Sequence, residues 1–307
     1  MSQLKLQGQL NVQGKIHHGA SGPPTLPKFG VDAAYSVRKL FNDYTGYAMR
    51  VRRSSDNAEL DIGFTVFNLL DETSILNFCG NSLGTVVAWY DQSGNGYTAG
   101  VSNVAYSVGY PYICDGGAMF RLLGSSTIPA IYFAGNRGLI TSTALPDFKF
   151  NSVFFVESHQ YTSDSDNERI YDKRRSNGLV SLFRTTGINY SNYNYGRGGA
   201  SSLSVDTAPS ATFFGKPIIF DATKPTDVNV DIRVNNVLQV NTVIRTGAQQ
   251  DNANFALGIG TNVINAPTPS GGNYFSGSIS ELIIYNSDMQ AFRQPIINNI
   301  NYYYQAF

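Results

Sequence analysis

The sequence predicts an all-β protein, an antiparallel sandwich of two packed sheets, and two observations lead to it. Short runs of β-branched and aromatic residues recur along the 307 residues, separated by turns rich in glycine and asparagine. Charged residues make up only 14% of the chain and aromatic residues reach 13%, which is typical of many strands joined by many turns. A chain of this length can also bury a sizeable core.

Charge and cysteine content exclude several function classes. Lys+Arg and Asp+Glu are both 22, so no nucleic acid or anionic membrane is expected as a partner. No apolar run approaches the roughly 18 residues of a membrane helix, and the first residues lack the apolar core of a signal peptide. Cys79 and Cys114 favour two buried thiols over a disulfide, and His17, His18 and His159 are scattered, so we predict no metal or other cofactor.

Residues 1–28 are predicted to form an N-terminal arm and linker, separate from a sandwich at 29–307. Residues 4–16 alternate between apolar and polar, which indicates a strand with one apolar face, and a Gly/Pro-rich linker follows at 17–28. Because a lone strand cannot cover that face, we expect it to add to a partner's sheet or to wind with two copies into a trimer. The alternative is an edge strand of its own sandwich. The anchoring residues are Leu4, Leu6, Leu10, Val12 and Ile16.

In the first half of the domain, helical spacing and a capping aspartate predict a helix over 32–44. A strand is predicted at 47–53, a second helix at 71–78 ending at Gly80, and further strands at 128–133 and 153–158. In the second half, we expect a strand pair at 168–171 and 180–183, a strand at 218–220, a hairpin of 228–234 and 237–243 around Asn235-Asn236, and strands at 255–260 and 274–285.

The centre of the predicted fold is the strand at 85–90, whose continuous apolar run indicates burial on both faces. It leads into the turn 91–96, which has two glycines and several residues that bond their own backbone. We interpret this as a structural turn rather than a ligand or calcium site, because a single aspartate is a poor calcium site. The turn residues are Trp89, Asp91, Gln92, Ser93 and Asn95.

The segment Trp-Tyr-Asp-Gln-Ser-Gly-Asn-Gly at 89–96 resembles one in the catalytic domain of family-54 α-L-arabinofuranosidases. Together with Ala-Tyr-Ser-Val-Arg-Lys-Leu at 34–40 and the stretch at 48–57, it looks most like a sandwich module of bacteriophage and other viral structural proteins. The likeness covers roughly residues 31–100. It implies a concanavalin A-like or laminin-G-like sandwich, a jelly roll with short helices. Residues 274–285 also resemble the closing strand of laminin-G and lectin-like sandwiches, which implies a short helix within residues 286–303.

The resemblance invites a glycosidase interpretation, which usually needs two carboxyl groups. Glu157, Asp172 and Glu281 lie on or beside predicted strands and could converge. However, the Glu-Asn-aliphatic-Phe nucleophile motif and the vicinal cysteine pair of the family are missing, so no catalytic residue carries over. We therefore expect no enzymatic activity.

A Tyr/Asn-rich stretch is the candidate glycan-binding site, because aromatic faces stack on sugar rings and amides bond hydroxyl groups. A polar surface loop or an edge strand is the alternative. The candidate residues are Asn189, Tyr190, Asn192, Tyr193 and Tyr195.

These features predict a virion structural protein, made in a host cytoplasm and carried on a bacteriophage. It would be a decoration, head-fibre or tail-associated module that binds other virion proteins through its arm and host-surface glycans through its lectin-like domain. The alternatives are a glycoside hydrolase related to arabinofuranosidases and a cellular carbohydrate-binding module.

Overall fold

The computed structural model describes residues 22–100, 109–145, 152–159, 167–175, 178–187, 190–197, 202–206, 215–223, 229–243, 256–261 and 274–307. Several residues singled out in the sequence lie outside these ranges: Leu4, Leu6, Leu10, Val12, Ile16, His17, His18 and Asn189.

The described residues form nineteen strands and two α-helices. The strands are β1 (Val31–Ser36), β2 (Met49–Arg53), β3 (Glu59–Ile62), β4 (Gly84–Trp89), β5 (Ala99–Gly100), β6 (Tyr112–Asp115), β7 (Ala118–Met119), β8 (Ile131–Ala134), β9 (Leu139–Thr141), β10 (Ser152–Ser158), β11 (Asn167–Arg175), β12 (Gly178–Gly187), β13 (Tyr190–Arg197), β14 (Ser202–Asp206), β15 (Ile218–Thr223), β16 (Asn229–Val234), β17 (Val237–Val243), β18 (Gly258–Ile259) and β19 (Ser276–Tyr285). The helices are α1 (Glu72–Cys79) and α2 (Arg293–Tyr304), and a 3-10 turn spans Gln290–Phe292.

The strands pair antiparallel in two series, which gives the predicted concanavalin A-like sandwich. In the first sheet the order is β17-β16-β15-β10-β19, and β1 and β8 lie along the far side of β19. In the second sheet the order is β3-β2-β4-β5-β9-β18-β11-β12-β13-β14. Strand β6 pairs with both β4 and β8 and so joins the sheets. One apolar core contains buried residues from both series.

Helix α2 covers the outer face of the first sheet, the face turned away from the second sheet. Ile296, Ile297 and Ile300 are fully buried there, and the Tyr304 hydroxyl donates to the Glu281 carboxylate of β19 over 2.9 Å. On the opposite face, Phe155 of β10 packs against Phe220 with ring centroids 4.8 Å apart. All seven residues of β10 are buried, because the sheet is covered on both sides.

Most predicted elements are confirmed. Helix α1 begins after Asp71, whose carboxylate accepts from the Ser74 amide, and it ends at Gly80. The hairpin of β16 and β17 turns at Asn235 and Asn236, both with positive φ (47° and 65°), the conformation that two-residue hairpin turns require.

The helix predicted over 32–44 is wrong. Residues 31–36 form β1, which pairs with β19, and Ala33, Ala34, Tyr35 and Ser36 are all fully buried. Pairing and burial on both faces outweigh the weak helical spacing, because helix propensity is readily overridden by tertiary context.

The expectation that the central strand is buried on both faces is wrong in part. Gly84, Val86 and Trp89 of β4 are buried, whereas Thr85 and Val87 are half-buried. An antiparallel sheet commonly has one face packed on the core and the other partly solvated.

Residues 22–28 pack on the sandwich, although the sequence assigns them to the linker. Leu26 is 5% exposed, and its amide donates to the Leu40 carbonyl over 2.6 Å. The Asn299 amide group of α2 donates to the Pro24 carbonyl over 2.8 Å. Among the described helices, none has the length and apolar character to cross a membrane.

Candidate functional site

The turn after β4 is a dense hydrogen-bond centre. One oxygen of the Asp91 carboxylate accepts from the Ala34 and Ser93 amides, each at 2.9 Å, and the other accepts from the Ser93 hydroxyl and the Tyr97 amide, at 2.6 and 3.1 Å. Both oxygens are thus occupied by protein donors. Asp91 is 6% exposed, which leaves this carboxylate little room to bind a ligand.

The neighbouring residues tie the same turn to β1 and the segment after it. The Gln92 amide oxygen accepts from the Leu40 amide at 2.8 Å, and its nitrogen donates to the Arg38 carbonyl at 2.9 Å. The side-chain amide of Asn95 donates to the Asp32 carbonyl at 2.9 Å, and the Ser93 hydroxyl oxygen lies 3.1 Å from the same carbonyl. The Trp89 ring is fully buried. These contacts are those of a structural turn.

Glu281, one of the three candidate carboxylates, lies in a buried ion pair under α2. Its oxygens accept from Arg38 Nε at 2.8 Å and Nη2 at 2.9 Å. Both side chains are fully buried. Burial alone would lower the pKa of Arg38, but the Glu281 charge and hydrogen bond outweigh it and raise that pKa. Glu281 thus neutralises a buried cation.

Glu157 lies on the opposite face of the same sheet. Val156 is the register partner of Glu281, so Glu157, the next residue, faces away from α2. Its carboxylate contacts His159 Nδ1 at 2.9 Å, and both side chains are fully buried. Asp172 is buried on β11 of the second sheet. Glu281 and Glu157 therefore lie on opposite faces of the first sheet, so the three candidate carboxylates do not converge on one site.

A pocket on the outer face of the first sheet combines aromatic and polar side chains, and we call it the aromatic pocket. Its volume is about 360 Å³, within the range of small-ligand sites. It is lined by Phe120, Arg121, Leu123, Tyr132, Ser276, Gly277 and Ser278.

The aromatic wall consists of nearly parallel rings. Phe120 and Tyr132 have centroids 5.1 Å apart and planes 18° apart, and Tyr112 stacks on Phe120 at 6.0 Å. The Arg137 guanidinium lies over the Tyr112 ring, 4.1 Å from its centroid. Phe120 and Tyr132 are half-buried, so part of each ring remains accessible.

The loop that carries Phe120 and Arg121 is held on several sides. The Phe120 amide donates to the Ile113 carbonyl, and the Ala130 amide donates to the Phe120 carbonyl. The Leu123 amide donates to the Ser158 hydroxyl at 2.8 Å. A Cβ on Gly124 would lie 2.6 Å from the Gly215 carbonyl oxygen, so this approach requires glycine. The pocket is preorganised.

The polar wall is close to neutral. Arg121 forms a bidentate pair with Glu72 of α1, at 2.8 and 2.6 Å, and both side chains are slightly under a third exposed. Ser276 and Ser278 line the opposite side from β19. The pocket is thus lined by aromatic rings and hydroxyl groups, and the charge of Arg121 is paired with Glu72.

Sequence reasoning missed this pocket. Tyr132 falls inside the strand predicted at 128–133, with no face assigned to it, and Phe120 falls in a stretch without clear periodicity. One signal was available, because Ile131 and Phe133 flank Tyr132 and both are buried, which points Tyr132 to the other face.

The Tyr/Asn stretch forms β13 from Tyr190 onward, and its backbone pairs on both sides. Tyr193 is the register partner of Arg184 in β12 and of Val205 in β14. The segment is therefore neither a surface loop nor an edge strand. Its glycan-binding role, for Tyr190, Asn192, Tyr193 and Tyr195, stays a prediction.

Comparisons with known proteins find arabinofuranosidases among the proteins that this chain resembles. Residues 28–115 match the family model for Alpha-L-arabinofuranosidase B, catalytic. A mutant GH54 α-L-arabinofuranosidase soaked with 4-nitrophenyl α-L-arabinofuranoside matches with a TM-score of 0.63 at 15% identity, over 88% of this chain and 62% of that chain. An arabinofuranosidase complexed with arabinofuranosyl-α-1,2-xylobiose matches with a TM-score of 0.59 at 14% identity, over the same shares.

The chain thus spans about 62% of the length of these structural relatives. No curated protein sequence matches it. At such low identity the likeness shows the fold, that of a GH54 arabinofuranosidase catalytic domain, and nothing in these comparisons points to a virus particle.

Proposed function

We propose that this protein is a non-catalytic carbohydrate-binding sandwich and that the aromatic pocket holds a neutral sugar unit. The observation that carries the proposal is the pair of half-buried, nearly parallel rings of Phe120 and Tyr132, which line a pocket of about 360 Å³. Aromatic faces provide apolar contact for the C–H surface of a sugar ring, and a few placed polar groups fix its orientation.

The charge of the pocket favours an uncharged ligand. The Arg121 guanidinium is engaged at both ends by Glu72, so an acidic sugar would have to compete with a bidentate carboxylate. Ser276 and Ser278 offer hydroxyl groups that both donate and accept, and these suit sugar hydroxyls. Likeness in fold to arabinofuranosidases supports pentose-containing glycans, such as arabinofuranosyl-xylobiose, as first probes.

The biological setting stays a prediction. Display on a virion, anchoring through residues 1–16 and trimer formation rest on the sequence resemblance and on the arm's alternating pattern. The same pocket would serve a cellular carbohydrate-binding module equally well.

The experiment is a glycan array followed by titration calorimetry on the strongest neutral ligand. Tyr132→Ala should weaken binding at least tenfold, since removing an aromatic anchor commonly costs more than about 1.4 kcal/mol. Tyr47→Ala is the matched control, because Tyr47 is 53% exposed and lies outside the pocket. Equal binding by wild type and Tyr132→Ala would reject the pocket as the site.

A glycoside hydrolase is the second candidate, favoured by the family-model match over 28–115 and by the buried Glu157–His159 pair. Incubation with 4-nitrophenyl α-L-arabinofuranoside tests it. Turnover that Glu157→Gln abolishes, with the melting temperature retained, would replace the binding proposal by the enzyme.

A further inference from the structure

The thiols of Cys79 and Cys114 meet beside Gly84. Cys79 is the last residue of α1, and Cys114 lies in β6 opposite Gly84 of β4. Both cysteines are free and buried, as the sequence predicts, and their sulfurs lie on the same side of Gly84, around the position that a Cβ would take. The two thiols are therefore near neighbours in the fold although 34 residues separate them in the chain.

Gly84 makes this meeting possible. A Cβ at position 84 would lie 2.5 Å from the Cys114 sulfur and 2.8 Å from the Cys79 sulfur, closer than real Cβ atoms come to any neighbour. The two sulfurs therefore share the space that a side chain would occupy. Gly84 has no positive φ, so the close approach of the sulfurs, and not the backbone conformation, accounts for glycine here.

We propose that Cys79 and Cys114 are a dithiol–disulfide pair, which closes when the chain folds in the presence of a small-molecule disulfide such as oxidised glutathione. One thiolate attacks the glutathione disulfide, releases one glutathione and forms a mixed disulfide. The second thiolate then attacks the protein sulfur of that mixed disulfide, forms the Cys79–Cys114 bond and releases the second glutathione. Two protein thiols are oxidised and one glutathione disulfide is reduced to two glutathiones.

Folding is the stage at which the bond forms most readily. Burial raises the pKa of Cys79, and it raises that of Cys114 to about 12. Since the thiolate is the reactive species, the folded dithiol reacts slowly. In the unfolded chain both thiols are accessible and titrate normally.

The bond would join two elements that carry the aromatic pocket. Helix α1 ends at Cys79 and supplies Glu72, which holds Arg121. Strand β6 contains Cys114 and supplies Tyr112 to the stack of rings. Because the cross-link closes a loop of 36 residues in the unfolded chain, the oxidised protein should melt about 5–10 °C higher than the reduced one.

To test the proposal, the full chain is unfolded and then refolded under two conditions. One condition contains a mixture of oxidised and reduced glutathione, and the other contains reduced glutathione alone. After refolding in the mixture, we expect no free thiol on denaturation, an intact mass lower by two hydrogens, a monomer on non-reducing gels and the higher melting temperature. Cys79→Ser and Cys114→Ser should each lack the temperature gain. This control separates the cross-link from a general effect of oxidant.

Gly84→Ala tests whether the space at position 84 is needed for the two sulfurs to meet. Its Cβ should displace the sulfurs and lower the disulfide yield under the same refolding conditions. If this variant does not fold, the thiol count of wild type decides. Two free thiols after oxidative refolding, glutathione adducts on both cysteines, or a disulfide that lowers the melting temperature would overturn the proposal.

Discussion

The substitution Glu281→Gln tests the assignment of this carboxylate to structure rather than to chemistry. The change keeps the shape of the side chain and removes its charge. Glu281 accepts four hydrogen bonds, two from Arg38 and one each from Ser36 and Tyr304. Arg38 and Glu281 are both fully buried, so neither water nor salt can replace the missing charge.

The expected loss follows from that burial. Removing one partner of a buried pair leaves the other charge without compensation, which costs about 3–5 kcal/mol. With a urea m-value of about 2–3 kcal/mol/M, the midpoint of unfolding should fall by about 1–2.5 M. Arg38→Met should cost a similar amount, and a double variant, Arg38→Met with Glu281→Leu, should recover much of the loss because it removes both charges.

Urea unfolding followed by circular dichroism measures these shifts. Glu72→Gln is the matched control, since Glu72 also forms a bidentate pair, with Arg121, but both side chains are partly exposed. Its loss should stay below about 1 kcal/mol. If Glu281→Gln proves as mild as Glu72→Gln, the buried pair is not the structural element described above.

Three further predictions follow from single contacts. Asp91→Ala removes the acceptor for buried amides and a hydroxyl, so it should lower the free energy of unfolding by about 3 kcal/mol or more, measured by urea denaturation. Asn236 has a φ of 65°, so Asn236→Ala should destabilise by about 1–2 kcal/mol and Asn236→Gly should not, measured by the melting temperature. Burial and then the Asp61 hydrogen bond raise the pKa of Tyr90 to about 12, and burial raises that of Tyr285 further. Since the pKa of each tyrosine is higher in the folded state than in the unfolded state, this stabilisation is complete below pH 10 and is lost as the pH rises through 12. Tyr90→Phe should reduce the loss of stability between pH 10 and 12, measured by urea titrations at alkaline pH. An unchanged pH profile in that variant would contradict the assignment to Tyr90.

Local signals in the sequence predicted much of the fold. A capping aspartate and a terminal glycine bracket α1, an Asn-Asn pair marks the hairpin of β16 and β17, and the turn after β4 uses the side chains that its composition indicates. In each case the determining contact lies within a few residues along the chain, so a short window contains it.

Long-range contacts account for what the sequence did not predict. Residues 31–36 form a strand because β19, some 250 positions later, pairs with them. Phe120, Tyr132 and Ser278 form one pocket because β8 and β19 are neighbours and the loop after β7 folds against them. Such neighbours follow from topology, which the spacing of apolar residues does not contain.

A crystal structure of the protein soaked with arabinofuranosyl-xylobiose tests the proposed binding site most directly. We expect a sugar ring packed against Phe120 and Tyr132, with its hydroxyl groups bonded to Ser276 or Ser278, and no cleavage of the glycan. A sugar bound beside Glu157 on the opposite face of the sheet, or an aromatic pocket left unchanged by saturating ligand, would contradict this expectation.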